Sequence, residues 1–103
     1  MKYRVITLQQ AKKELIDIQQ YITEELQSPQ AAFDFVDDIE AQISKLEHMP
    51  KRFALVDDEI LASKGVRLIP VKNFLIFYVV DEEAKTVNIV SVMYGKRDWM
   101  NLL

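Results

Sequence analysis

The stretch that decides the fold comprises residues 65–80, GVRLIPVKNFLIFYVV, and residues 86–99, TVNIVSVMYGKRDW. Within it, residues 74–80 carry no charge and are bounded on both sides by polar residues. An uncharged run of this length is typical of a β-strand that is buried on both faces. Because such a strand needs a neighbour on each side, residues 65–72 and 86–94 are predicted to pair with it, and a further layer must pack over the sheet.

Two helical patterns upstream supply that layer, since apolar residues recur in each at intervals of three or four positions. Thr7 and Gln10 fit a capping box before the first helix. Ser28 and Pro29 suit the start of the second, because the missing N–H of proline has no partner there anyway. The helices are nearly contiguous, so an antiparallel αα-hairpin is predicted. The apolar residues are Ala11, Leu15, Ile18, Ile22 and Leu26 in the first helix, and Ala32, Val36, Ile39, Ile43 and Leu46, widened by Phe33 and Phe35, in the second.

The remaining segments complete a β-α-α-β-β-β order. Residues 2–6 alternate and are rich in β-forming residues, so they are predicted to form a strand. Residues 50–64 lack a clean period and are predicted to form a loop with a short helical turn at 57–63. Pro70 cannot donate to a sheet ladder, so it marks a bulge or an edge strand. The sequence therefore predicts one α+β domain over residues 1–103, in which a small antiparallel sheet carries the αα-hairpin on one face.

The composition excludes several classes of protein. The chain of 103 residues has no cysteine and one histidine, which argues against disulfides, a thiol nucleophile and a Cys- or His-based metal site. No metal or cofactor is predicted. No apolar run is long enough to span a membrane, and the first residues lack the pattern of a signal peptide, so a cytoplasmic location is expected. The net charge of −3 argues against bulk affinity for nucleic acid.

A local basic patch stands out against this acidic background. Lys64, Arg67 and Lys72 lie in a stretch without acidic residues, and Lys96 and Arg97 follow the last strand. Arg67 could bind a phosphate or carboxylate with two hydrogen bonds, or it could be solvated or paired with an acidic helix residue. The second pair of cations could touch nucleic acid or an acidic partner, or it could form an ordinary charged turn.

Aromatic and acidic residues offer further candidates, each with a structural alternative. Tyr94 could stack on a base or act as a general acid, but it could also pack with its hydroxyl in water. Trp99 could anchor a partner or close the core. His48 suits a helix end, where its positive charge favours the helix dipole. The runs at 37–38 and 57–59 lack the spacing of a metal loop and are interpreted as solvated surface.

The sequence resembles the RelE/ParE superfamily, the toxins of type II toxin–antitoxin modules. The resemblance rests on short motifs that occur in order along nearly the whole chain. These motifs are Ala11-x-x-x-Leu15-x-x-Ile18-x-x-Tyr21-Ile22, Pro29-x-Ala31-Ala32, Leu46-x-x-x-Pro50, Gly65-x-Arg67, residues 73–78 with Val87-x-Ile89, and residues 94–99.

The resemblance implies a growth-inhibiting toxin that is neutralised when an extended or helical segment of a partner antitoxin wraps its surface. ParE-like members inhibit DNA gyrase and trap it on cleaved DNA, whereas RelE-like members cut mRNA on the ribosome. A third alternative is a family member that has lost toxicity and only binds an antitoxin. For a ParE-like toxin, the implied target-binding residues are Lys64, Arg67, Lys72, Lys96, Arg97 and Trp99.

A RelE-like nuclease would use another set of residues, in which cations steady the scissile phosphate and a phenol donates a proton. This set would be Arg67, Lys72, Tyr94 and Arg97. The sequence departs from the RelE pattern at Leu75, where RelE-like nucleases resemble each other in carrying arginine. It departs again in the tail at 101–103, which has no tyrosine. The sequence therefore favours a ParE-like toxin that acts by binding.

Overall fold

A computed structural model describes residues 2–95, and these residues form an α+β fold in the predicted order. The short helix expected near residue 60 is present, and two 3₁₀ turns precede it. No helix in the described part of the chain is long and apolar enough to cross a membrane. The elements are β1 (Arg4–Thr7), α1 (Gln9–Glu25), α2 (Pro29–Ser44), 3₁₀ turns at Lys45–Glu47 and Pro50–Arg52, α3 (Glu59–Ser63), β2 (Val66–Val71), β3 (Phe74–Asp81) and β4 (Thr86–Tyr94).

The four strands form one sheet in the order β1-β4-β3-β2. β3 pairs antiparallel with both β2 and β4, as predicted. β1, in contrast, runs parallel to β4, so the sheet is mixed and not wholly antiparallel. No short turn joins β1 to β4; the helical hairpin and two further strands intervene, so local sequence does not set their relative direction. Pro70 lies on β2 at one edge of the sheet, as predicted.

The central strand β3 is covered on both faces, as the uncharged run predicts. Ile76, Phe77 and Tyr78 are fully buried in succession. Ile76 and Tyr78 belong to the core beneath α1 and α2, together with Ile39. Phe77 belongs to a smaller core with Val56 on the other side of the sheet, where the segment containing α3 packs. The segment at residues 50–64, which lacks a clean sequence period, therefore supplies the second layer that covers the sheet.

The helix starts show one correct and one wrong prediction. Ser28 caps α2, because its hydroxyl accepts a hydrogen bond from the Ala31 N–H at 3.1 Å, and a proline occupies the first turn. The capping box at Thr7 is wrong: Thr7 still belongs to β1, and α1 begins after Leu8 without a side-chain cap. Two residues assigned to the apolar stripes, Leu26 and Phe33, are 60% and 69% exposed and lie outside the core.

One surface network ties the start of β1 to the loop between β3 and β4. The Tyr3 hydroxyl donates to the Glu82 carboxylate at 2.7 Å, and Lys51 and Lys85 approach the same carboxylate at 3.0 and 3.3 Å. The hydrogen bond from Tyr3, followed by that from Lys51, lowers the pKa of Glu82 from 4.5 to about 2. The ionised form of Glu82 is therefore favoured by folding.

This network gives a pH-dependent prediction for Glu82→Gln. A carboxyl whose pKa falls on folding stabilises the protein above its unfolded value of 4.5, and this contribution is lost as the pH falls from 4.5 towards about 2. We expect the melting temperature of the variant to be lower than that of the wild type at pH 6 and to match it near pH 2. Thermal unfolding at both pH values measures this. An equal difference at both values would contradict the assigned pKa, and Glu83→Gln at the neighbouring position is the control.

Candidate functional site

A groove lies at the end of the sheet where β3 begins and β4 ends. It has a volume of about 780 Å³ and lies between this end of the sheet, α1 and the first turns of α2. We call it the hairpin groove. Its lining is mainly apolar, with a few charged side chains. The lining residues include Tyr21, Leu26, Phe35, Lys72, Phe74 and Tyr94.

A row of three aromatic rings lines the hairpin groove. The ring centroids of Phe35 and Phe74 are 4.8 Å apart, and those of Phe74 and Tyr94 are 5.7 Å apart in an edge-on arrangement. Tyr21 and Leu26 also line this groove, and each is 60% exposed. Large apolar side chains that are open to solvent around a concavity are typical of a protein-interaction surface.

Charged side chains of both signs border the apolar surface. Asp17 and Glu14 on α1 line the groove. The Glu14 carboxylate accepts hydrogen bonds from the Ser91 hydroxyl at 2.8 Å and from the Val92 N–H at 3.1 Å, which joins α1 to β4. On the other border, the ammonium of Lys72 lies 2.6 Å from an Asp38 carboxylate oxygen, and this hydrogen bond raises the pKa of Lys72.

Arg67 lies near the start of β2, at the end away from Lys72, and its side chain contacts the main chain of the preceding loop. Its guanidinium donates to the Phe53 carbonyl oxygen at 2.7 Å. Next to it, the buried Tyr78 hydroxyl donates to the Pro50 carbonyl at 2.6 Å, and Arg52 donates to the His48 carbonyl at 2.9 Å. Burial is the main cause that raises the pKa of Tyr78. We call these three donors the carbonyl clamp, because together they hold the main chain of residues 48–53. Among the described residues, Arg67 therefore pairs with a main-chain carbonyl and not with an acidic helix residue, and a phosphate or carboxylate contact of Arg67 stays a prediction.

The cations predicted to act together are spread along the whole of β2. Lys64 and Arg67 lie at its start, and Lys72 follows its end. Lys72 follows Arg67 by five residue steps, which in a strand correspond to a distance of about 17 Å. Tyr94 is placed at the Lys72 end, because it pairs with Phe74 across the sheet.

The other predicted site residues, Lys96, Arg97 and Trp99, lie outside the described residues. The last described residue, Gly95, lies beside the turn that follows β2, because its N–H donates to the Asn73 carbonyl at 2.7 Å. Among residues 2–95, no group of histidine, cysteine and acidic residues could hold a metal ion. The prediction that these three residues contact a target stays a prediction.

Sequence reasoning missed the hairpin groove itself. In the sequence, Tyr21 and Leu26 belong to helical motifs, and these motifs do not mark them as exposed residues of a groove. One sequence feature did indicate that Leu26 is exposed: it is the last residue of the apolar stripe and follows the end of α1. The aromatic row gives no such signal in the sequence, since its rings come from α2, β3 and β4 and meet only in the folded protein.

Solved structures with this architecture identify the fold. The chain is similar to the structure of the chromosomal ParDE toxin–antitoxin system from P. aeruginosa, with a TM-score of 0.75, 21% identity and coverage of 92% of this chain and 98% of the other. It is also similar to the RelBE2 toxin–antitoxin complex from Mycobacterium tuberculosis, with a TM-score of 0.63, 19% identity and coverage of 91% and 99%. The E. coli toxin RelE in the free state gives a TM-score of 0.63, 15% identity and coverage of 99% and 93%. The fold is that of the RelE/ParE toxins.

The sequence narrows this class to one family. The family model described as the ParE toxin of the type II toxin–antitoxin system parDE matches residues 5–99. The chain belongs to the ParE toxin family. A comparison with curated protein sequences finds no match.

Proposed function

We propose that this chain is a one-domain, cytoplasmic toxin that stops growth by binding a large enzyme, DNA gyrase or a relative of it, and that an antitoxin neutralises it. The observation that carries the proposal is membership of the ParE toxin family over residues 5–99. Chemistry within the toxin is not required for this mode of action, since a bound protein can hold an enzyme in an unproductive state.

The positions of the candidate catalytic residues support binding over catalysis. A general acid must come within hydrogen-bond reach of its substrate group. Tyr94 and Lys72 share one end of the sheet, whereas Arg67 lies about 17 Å from Lys72 and donates to a main-chain carbonyl. Lys72 is itself paired with Asp38. Among the described residues, the proposed nuclease set therefore does not converge on one phosphate.

We assign the two partners to different parts of the surface. The hairpin groove offers exposed apolar and aromatic side chains, which suit the ordered segment of an antitoxin. Lys64, Lys96, Arg97 and Trp99 are proposed to contact the target, with Lys72 at the border between the two surfaces. Arg67 is proposed to support this surface indirectly, by fixing residues 48–53 through the carbonyl clamp.

Two readouts measured in the same cells, protein synthesis and plasmid supercoiling, test the proposal. The chain is induced without its antitoxin, and pulse-labelled protein synthesis is followed beside plasmid supercoiling. Early loss of supercoiling while translation continues is the expected result. Early loss of translation with intact supercoiling would contradict it and would favour ribosome-dependent mRNA cleavage, which primer extension on mRNA would then reveal. Normal growth with abundant folded protein would point to an antitoxin-binding module without toxicity.

A further inference from the structure

Met49 combines an exposed side chain with an unfavourable main-chain conformation. The side chain is 73% exposed, the largest fraction among the large apolar residues that the structure describes. Its φ of 51° and ψ of 56° lie in the left-handed region, which few residues other than glycine adopt because the Cβ atom meets a carbonyl oxygen. Residue 50 is proline, and a residue before proline is normally extended. Core packing does not explain this conformation, and such outliers cluster at functional surfaces.

The carbonyl clamp fixes the main chain on both sides of Met49. The Arg52 N–H and Nε donate to the Met49 carbonyl at 3.0 and 3.3 Å, and the Arg52 guanidinium also donates to the His48 carbonyl at 2.9 Å. The Pro50 carbonyl accepts from the Tyr78 hydroxyl at 2.6 Å. Three successive carbonyls are therefore held, and the Met49 side chain is presented to solvent on a rigid turn. A main chain that is already ordered loses less entropy when a partner binds.

Cations accompany Met49 in the same segment. Lys45 and Arg52 are exposed, and neither forms an ion pair within residues 2–95. Residues 45–52 contain three cations and one acid, and that acid, Glu47, is paired with Lys2 at 3.4 Å. Residues 9–44, which form α1 and α2, contain two cations and eight acids. The turn therefore concentrates positive charge on an otherwise acidic chain, which favours an acidic partner.

An apolar side chain with a cationic rim fits a protein pocket better than it fits a nucleic acid. Phosphate contacts require cations and hydrogen-bond donors, not an exposed methionine, whereas methionine adapts its shape to apolar pockets at interfaces. The hairpin groove, which is proposed for the antitoxin, includes no residue of this turn. The turn is therefore available to the target while the antitoxin occupies the groove.

We propose that the turn at residues 48–52 anchors this chain to its target enzyme. Met49 enters a small apolar pocket of that enzyme, and Lys45 and Arg52 contact carboxylates on the rim of the pocket. This proposal rests on the proposed function for the existence of a target enzyme.

Met49→Gly tests the anchor because it should separate binding from stability. Glycine adopts the left-handed conformation without steric cost, so the variant keeps the turn and removes the side chain. We expect its thermal unfolding curve to overlay that of the wild type, because the relieved main chain offsets the greater freedom of glycine in the unfolded state. The concentration of purified chain that half-inhibits supercoiling by DNA gyrase should rise about 10-fold or more. If Met49→Gly does not fold, Met49→Asn replaces it, since asparagine also tolerates this conformation.

Gln27→Gly is the matched control, because Gln27 is exposed and also has a left-handed φ, of 49°. We expect this variant to inhibit gyrase as the wild type does. Met49→Leu keeps an apolar side chain of similar size and should inhibit better than Met49→Gly. If Met49→Gly inhibits as well as Gln27→Gly, Met49 is not an anchor and the proposal is wrong.

A charge reversal tests the rim of the anchor. Lys45→Glu should raise the half-inhibitory concentration about 2- to 10-fold, and added salt should reduce this difference. Lys12→Glu is the control, because Lys12 is exposed on α1 and has no ion pair among the described residues. Equal effects of the two reversals would contradict a localised rim. Binding to plasmid DNA without gyrase that Met49→Gly weakens would overturn the proposal in favour of a nucleic-acid contact.

Growth inhibition distinguishes failure of the anchor from failure of the proposed function. Wild type and variants are induced without antitoxin at matched levels of folded protein. If the wild type leaves gyrase active but Met49→Gly relieves growth inhibition, the target is wrong and the anchor stands. If the wild type and Met49→Gly inhibit gyrase equally, the proposed function stands and the anchor is wrong. Loss of antitoxin binding in Met49→Gly, with unchanged growth inhibition, would assign the turn to the antitoxin and overturn the proposal.

Discussion

Tyr78→Phe should lower the free energy of unfolding by about 1–3 kcal/mol, because the Pro50 carbonyl loses its partner inside the protein. Tyr78 is fully buried, and its hydroxyl donates to that carbonyl at 2.6 Å. The variant keeps the ring, so packing is unchanged and the loss reports the hydrogen bond. Urea unfolding followed by circular dichroism measures the effect.

Tyr21→Phe is the matched control for this measurement. It also removes a phenolic hydroxyl, but from a side chain that is 60% exposed. Its unfolding curve should overlay that of the wild type. If Tyr78→Phe behaves like this control, the carbonyl clamp does not stabilise residues 48–53, and the structural role assigned to Arg67 loses its support as well.

Tyr21→Ala should weaken antitoxin binding by at least about 30-fold, which corresponds to the loss of 2 kcal/mol or more that marks an aromatic hot spot. Tyr21 lines the hairpin groove, as Tyr94 does. Because Tyr21 is largely exposed, its truncation should leave the fold intact. Titration calorimetry with the purified antitoxin measures the change.

Phe33→Ala provides the control on the same helical hairpin. Phe33 is 69% exposed, but it borders a separate crevice between α1 and α2 and not the hairpin groove. We expect its affinity for the antitoxin to stay within about twofold of the wild type. If Phe33→Ala strongly weakens antitoxin binding and Tyr21→Ala does not, the antitoxin binds the outer face of the helices instead.

Features set by near neighbours in the chain could be predicted from sequence. The uncharged run at 74–80 became the buried central strand, and Ser28 caps α2 through a contact only three residues away. Pro70 marked an edge strand because its chemistry excludes a central position. These predictions hold because the physical cause lies within a few residues of the feature.

Features set by distant residues could not be predicted in this way. Strand alternation places Arg67 on the same face as Ile69, which is buried under the helices, but its partner is the Phe53 carbonyl in a segment without a sequence period. Thr7 has the chemistry of a cap, yet pairing with Ile89 keeps it in the sheet. The hairpin groove likewise depends on how α1 and α2 meet the end of the sheet.

The most direct test of the central claim is a supercoiling assay with purified DNA gyrase and the purified chain. We expect the chain to inhibit supercoiling and to cause cleaved DNA to accumulate, and an excess of antitoxin to restore activity. Undiminished supercoiling at saturating protein, together with cuts in mRNA on translating ribosomes, would contradict a toxin that acts by binding gyrase.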